Sequence, residues 1–582
     1  MINRNFKDNF LSQALLMLAL SNVLACGGGS DGESTPEVPT PVSFPEKISN
    51  ITITDSLIFF SVEVDSGRYE LYSTDPSATK LNGISDTLSA TNNLYPYRIS
   101  GDSSSIAYRA DKDNNGSDEL YTNLVDGSSE VQVSTSISTY SQNEIQNQVA
   151  NYQWMPDSSR LIYRDDFDQD DIYEIQSVLV DGTELLELSS NLNISCEKQQ
   201  CWKIANDSSL LLLKSEVINQ GQLSFNLYAV TPTGNNLTQL NQPLATSSDI
   251  IQWDFSPDNL LISYISHNHN EPRELYTVNH DASLRTLING SSLSLGVTEF
   301  KWAPDSSRIA FTEDSLHSGQ PNLFSDLPDV TDRIQMIDTF KVSTPNIINW
   351  HWSPDSSYIA YLADQETAGV FELFQVQNNG EWHIKLSDTL PVDGVVHSEW
   401  QWSPNSDFIA YYSDLDISAT YDELFVTSID ANQRNQINSL HSSKLKITNK
   451  HWLEDGSRLI YSTVDSNERI IAIYSVLPDG SQVIQLTNET SDNEYISDDY
   501  VISPDNSKLL YQISNVDSST SKLQVGNIND TLRIDLGIQE TLISYDWLTD
   551  SSKIVYVSQA DSNSPQQLFS ILPNATGLIK LY

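Results

Sequence analysis

One motif is written along this chain again and again, with a period near 50 residues. It consists of an apolar or aromatic pair, a turn, a β-branched run and a second aromatic segment. The clearest copies are Trp302-Ala-Pro-Asp-Ser-Ser-Arg-Ile-Ala-Phe311, Trp352-Ser-Pro-Asp-Ser-Ser-Tyr-Ile-Ala-Tyr361 and Trp402-Ser-Pro-Asn-Ser-Asp-Phe-Ile-Ala-Tyr411. Weaker copies carry their turn acid at Asp102, Asp157, Asp207, Asp258, Asp455, Asp505 and Asp550. The 448 residues from Asp102 to Asp550 hold nine intervals, about 50 residues each. A degenerate copy around Asp55 precedes them by the same step. Eleven copies then fill residues 46–582 and leave no space for another folded domain.

Within a copy, Trp350 and Trp352 are two apart and so share one face of a strand. Pro in the SPDS turn presets φ, and Asp or Ser bonds back to the backbone. The Ile-Ala-Tyr run supplies a second strand, Glu-Leu-Tyr runs such as Glu274–Tyr276 a third, and Asp-Gly turns such as Asp479-Gly480 lead to a fourth. Four short antiparallel strands per repeat, with helical periodicity confined to the N-terminus, predict an all-β propeller of about eleven four-stranded blades. Single rings usually hold 4–8 blades. Two tandem propellers are therefore expected, at 46–295 with about five blades and at 296–582 with about six; one large ring is the alternative.

These motifs resemble the WD40-like propeller repeat of the TolB family and of prolyl-oligopeptidase-type peptidases, over nearly the whole body of the chain. The resemblance implies a propeller whose first strands are innermost, and a place beside the Tol–Pal envelope system. Three departures stand out. The turn mostly ends in Ser or Asn where the family has Gly. The small α/β domain of TolB has no counterpart, and neither does a hydrolase domain with its GxSxG elbow.

The first 45 residues carry an address. Arg4 and Lys7 precede the apolar run Phe10–Leu20, which is too short to span a bilayer and reads as a signal peptide over 1–25. Val23-Leu24-Ala25-Cys26 resembles the bacterial lipobox, which implies lipidation at Cys26, followed by a Gly-Ser-Pro-Thr tether over 26–45. Gly27 after the Cys implies sorting to the outer membrane, with the protein facing the periplasm or the cell surface. Of the remaining cysteines, Cys196 and Cys201 are expected to form a disulfide across a surface loop. The 78 acidic residues against 31 basic, a net charge of −47, exclude a nucleic-acid role, since phosphate binding needs a basic footprint.

Three groups of residues are candidates for chemistry. Asp111, Asp113, Asn115 and Glu119, with Gly116 at the bend, space oxygen ligands as calcium loops do; Asp166, Asp168, Asp170 and Glu174 repeat the spacing without the Gly. The repeated turn acids read as turn makers. The residues between the paired aromatics are Arg98, Gln153, Lys203, Asp254, Lys301, His351, Gln401, His451, Val501 and Asp546. The resemblance puts them near a central channel, with Arg98, Lys203, Lys301, His351 and His451 as ligand-binding candidates. The expected function is an outer-membrane-anchored, non-enzymatic binding scaffold for a protein, peptide or envelope polymer, with calcium as the one candidate cofactor. The alternatives are a propeller-type polysaccharide lyase or hydrolase and a calcium-stiffened surface protein.

Overall fold

The computed structural model describes residues 47–582 except 66–67, 86–96, 111, 113–118, 135–151, 166–172, 195–200, 220, 243–247, 269–270, 291–293, 316–320, 338–340, 343–344, 416–422, 438–445, 489, 492 and 518–520. The second-strand run Tyr358–Ala363 shows how the repeat folds. Ile359 and Tyr361 pack into one apolar cluster, with residues 303–352, and Ala360 and Leu362 into another, with residues 386–425. Both faces of the strand are buried, so it reads as an unbroken apolar run and not as an alternation. Directly opposite, Tyr361 stacks on Phe374 across the pair, as Tyr411 does on Phe425 and Tyr461 on Tyr474 (ring centroids 5.4–5.7 Å). Such cross-strand aromatic pairs add to the stability of a sheet beyond the area they bury.

Among the described residues stand nine separate four-stranded antiparallel sheets in sequential strand order and one nine-stranded sheet that holds two more such units, the second with its first strand broken into 494–496 and 501–502. As blades 1 to 11 they span 47–83, 98–132, 152–187, 202–239, 249–287, 294–335, 347–385, 401–436, 446–485, 494–535 and 541–580. The pair Ile470↔Ile496 joins blades 9 and 10 into one continuous sheet. Every consecutive pair of blades shares an apolar cluster. This is a β-propeller.

Across the proposed boundary near residue 295, Leu275 and Ile288 of blade 5 share a core with Val297 and Phe300 of blade 6. There the Gln252 side chain also donates to the Phe300 carbonyl and accepts from its amide, at 2.8 and 3.1 Å. The remaining apolar cluster joins the two ends: Ile48, Ile58 and Phe60 of blade 1 pack on Val555, Val557 and Leu568 of blade 11, and Tyr582 sits edge-on to Phe60. Elsewhere a buried hydroxyl on a third strand donates to a turn carbonyl of the next blade, as Ser73 does to Val125, Thr122 to Val180, Ser177 to Pro232 and Ser475 to Ile528. Ser570 of blade 11 makes the same bond to Pro76 of blade 1, at 2.8 Å. Blades 11 and 1 thus meet through the same kinds of contact as several consecutive blade pairs.

The Ser that ends most of these turns stands where a glycine would be expected, and its presence has a physical reason. Ser158, Ser208, Ser306, Ser356, Ser406 and Ser551 sit at φ 61–65°, the left-handed region where glycine is the default. Each hydroxyl accepts the amide of the turn acid or Asn-preceding acid one blade back: Asp102, Asp157, Asp258, Asp305, Asp355 and Asp505, at 2.9–3.0 Å. The strain is offset by a bond between blades that glycine cannot make.

Candidate functional site

The ten residues between the paired aromatics all reach solvent, while their strand neighbours are mostly buried. They share one register on the second strand, as in Arg98↔Ala107, Lys203↔Leu212, Lys301↔Ala310, His351↔Ala360 and His451↔Ile460. First strands of neighbouring blades touch through these positions, because the indole N–H of Trp154, Trp352, Trp452 and Trp547 donates to the carbonyl of Arg98, Lys301, Gln401 and Val501 (2.9–3.4 Å). The result is a polar row along first strands held together by side chain-to-backbone bonds.

Cations in the row lie on the aromatic of the following blade. Lys203 Nζ sits 5.1 Å from the Trp253 ring centroid, donates to the Trp253 carbonyl at 2.8 Å and pairs with Asp254 at 3.0 Å. Lys301 repeats this on Trp350, at 4.7 Å from the ring and 2.6 Å from its carbonyl, and pairs with Glu299 at 3.1 Å. Arg98 lies over Tyr152 at 6.0 Å. His351 meets the Trp400 ring edge-on at 5.4 Å, and its Nε2 is 2.9 Å from the Asn349 Oδ1. Partial burial, seconded by the Lys301 charge, holds the His351 imidazole below its ordinary pKa, with Glu299 opposing. His351 and His451 are not brought together, since Gln401 of blade 8 occupies the row between them.

A pocket of about 230 Å³ opens in the row at blades 3, 4 and 5, and Gln153, Lys203 and Asp254 converge there with Asn206, Phe255 and Asn259. Sequence reasoning named the three row residues but not the two asparagines, although one signal was available: Asn206 stands where most copies have the turn Pro. Reasoning from sequence also missed Lys450. Its Nζ donates to the Glu399 carbonyl and lies 4.2 Å from the Tyr412 ring centroid, and burial pulls its pKa down to about 8 against the opposing charge of Glu399. Irregular first strands were equally hidden. Register shifts interrupt six of them, and Asn50, Asn349 and Asn449 take φ 46–51° at three of these bulges.

The turn acids are turn makers. Asp157, Asp305, Asp355, Asp455, Asp505 and Asp550 each accept the amide two residues on, at 2.9–3.1 Å. Bonds from Ser457 and Ser552 hold the carboxyls of Asp455 and Asp550 below the usual range. Of the calcium candidates, Asp111, Asp113, Asn115, Asp166, Asp168 and Asp170 lie outside the described residues. Glu119 is buried and Glu174 half-buried, each opening a third strand. Among the described residues no group of three or more metal-ligating side chains is assembled. Cys26 and Cys196 also lie outside the described residues; Cys201 is buried next to Trp202.

The class defined by this architecture is the β-propeller, and solved structures similar to the chain include other propeller-type proteins. Porphyromonas gingivalis dipeptidyl peptidase 4 is 12% identical, with 71% of this chain and 64% of that one covered and a TM-score of 0.41. A putative TolB from Agrobacterium tumefaciens is 15% identical over 43% of this chain and 83% of its own, with a TM-score of 0.25. An oligogalacturonate lyase from Vibrio parahaemolyticus is 12% identical over 63% and 87%, with a TM-score of 0.30. No family model and no curated protein matches the chain.

Proposed function

We propose that this chain is a lipid-anchored outer-membrane propeller that acts as a binding scaffold for a protein, peptide or envelope polymer. The observation that carries the reading is the solvent-reaching row, which opens into a pocket at Gln153, Lys203 and Asp254. The lipobox at Cys26 and the tether behind it support the anchoring, and three acyl chains would make it stable. Calcium at Asp111–Glu119 and a Cys196–Cys201 disulfide belong to the same proposal. Growth with labelled palmitate, followed by fractionation and pull-down with the full chain, tests it. Label in the outer membrane that is absent from Cys26→Ala, with an envelope component recovered by the wild type and lost from Lys203→Ala/Lys301→Ala, is the expected result. An unlabelled protein would overturn the anchoring; recovery of no envelope component would overturn the scaffold reading. For calcium, a hundredfold excess over its dissociation constant should stabilise the fold by about 2.7 kcal/mol. That shift should vanish in Asp111→Ala/Asp113→Ala.

A further inference from the structure

The pocket lies where two successive repeats, blades 4 and 5, lack a side chain that six of the eleven repeats carry. In blades 3, 7, 9 and 11 the second aromatic of the first strand is a Trp whose indole fills the gap to the preceding blade and bonds the row carbonyl there. In blade 4 this residue is Ile204, and in blade 5 it is Phe255. The corresponding acceptors are the carbonyls of Gln153 and Lys203, and neither Ile204 nor Phe255 has an N–H to offer them. Both side chains line the pocket. The cavity thus sits where an indole is absent, and the polar groups of Gln153, Lys203, Asn206, Asp254 and Asn259 edge it.

Its chemistry is neutral and rich in both donors and acceptors. Lys203 and Asp254 neutralise each other at 3.0 Å, so a charged ligand would have to break that pair. Around them stand the carboxamides of Gln153, Asn206 and Asn259, which make no side-chain hydrogen bonds among the described residues. A carboxamide offers N–H donors and an oxygen acceptor side by side, the complement of two adjacent hydroxyls. Phe255 adds a half-exposed aromatic wall. We infer that the pocket binds a neutral sugar ring, one unit of a polyhydroxylated polymer. This rests on the scaffold reading and names the class of its ligand.

Saturation-transfer NMR on the detergent-solubilised full chain, with glucose, galactose, mannose, N-acetylglucosamine and tetraglycine as separate probes, tests the inference. Transfer to at least one of the sugars is expected. Ile204→Trp introduces the residue that six of the repeats carry and should abolish transfer while leaving the melting temperature at or above that of the wild type. Should that variant fail to fold, Asn206→Ala, a change in an exposed turn, should still weaken sugar binding about tenfold, the effect of losing one or two hydrogen bonds. Absence of transfer to every sugar, or transfer unchanged in both variants, overturns the inference. Transfer to tetraglycine alone, lost in Ile204→Trp, also overturns it, but leaves the scaffold reading standing with a peptide as ligand. So does recovery of an envelope protein by a chain that binds no sugar.

Discussion

Replacing Ser356 by alanine and by glycine separates two opposing effects in the turn. Ser356 is 2% exposed, holds φ at 65° and accepts the Asp305 amide at 3.0 Å. Alanine keeps the unfavourable backbone and leaves that amide without its partner, a loss of about 1–3 kcal/mol. Glycine loses the same bond but relieves left-handed strain of about 1–2 kcal/mol, less its extra unfolded-chain entropy of about 0.4–1 kcal/mol. Alanine should therefore be the less stable variant, by up to about 1.6 kcal/mol. A propeller of this size need not unfold in one step, so a global midpoint is a blunt readout. Hydrogen exchange at the Asp305 amide is local, and about 1.4 kcal/mol corresponds to tenfold faster exchange. Exchange faster in both variants than in the wild type is expected, with alanine fastest. A glycine variant that protects Asp305 as well as serine does would refute the claim that the hydroxyl offsets its strain.

Other perturbations probe the seam, the turns and the row. Phe60→Ala empties a fully buried site between blades 1 and 11 and should cost about 3–5 kcal/mol in urea melts; a loss below 1 kcal/mol would mean that the seam contributes little. A circular permutant with its ends opened at 387–400 and the old seam joined by a short linker should fold, since the interfaces are alike; failure to fold would mean that one seam is special. The depressed carboxyls of Asp455 and Asp550 contribute stability that is fully present above the ordinary Asp pKa of about 4 and is lost as pH falls through their lower folded values. Melting temperature should accordingly be level from neutral pH down to about 5 and fall below about 4, and Asp455→Asn should flatten part of that fall. Lys450, with its pKa pulled down to about 8, should react with an amine acylating reagent ahead of the other lysines at pH 8, as read by peptide mass spectrometry.

Local features of the fold were legible because each repeat states them in full. The pair at Trp350 and Trp352, the Asp-led turns and the Ile-Ala-Tyr strand all follow from short-range chemistry and are found as expected. The packing of the two ends on each other was not legible, because the contact of Phe60 with Tyr582 and the bond from Ser570 to Pro76 join residues about as far apart as the chain permits. The row was visible through its spacing, but the pocket was visible only by subtraction. Ile204 and Asn206 look unremarkable alone and become informative once the Trp and Pro of their sister repeats are set beside them. Asn349 and Asn449 were opaque for a different reason: a bulge is a fault in pairing, and no periodicity announces it.

The strand count within a blade has a geographical consequence. Four is even, so the chain enters and leaves every blade on the same side, the side of the hairpins between second and third strands. The turns between first and second strands, Asn206 and Asn259 among them, crowd the opposite side, where the pocket opens. Lys47 begins the first strand of blade 1, so the polypeptide preceding it joins the molecule on the hairpin side. The chain therefore arrives on one side of the blades, and the pocket faces the other.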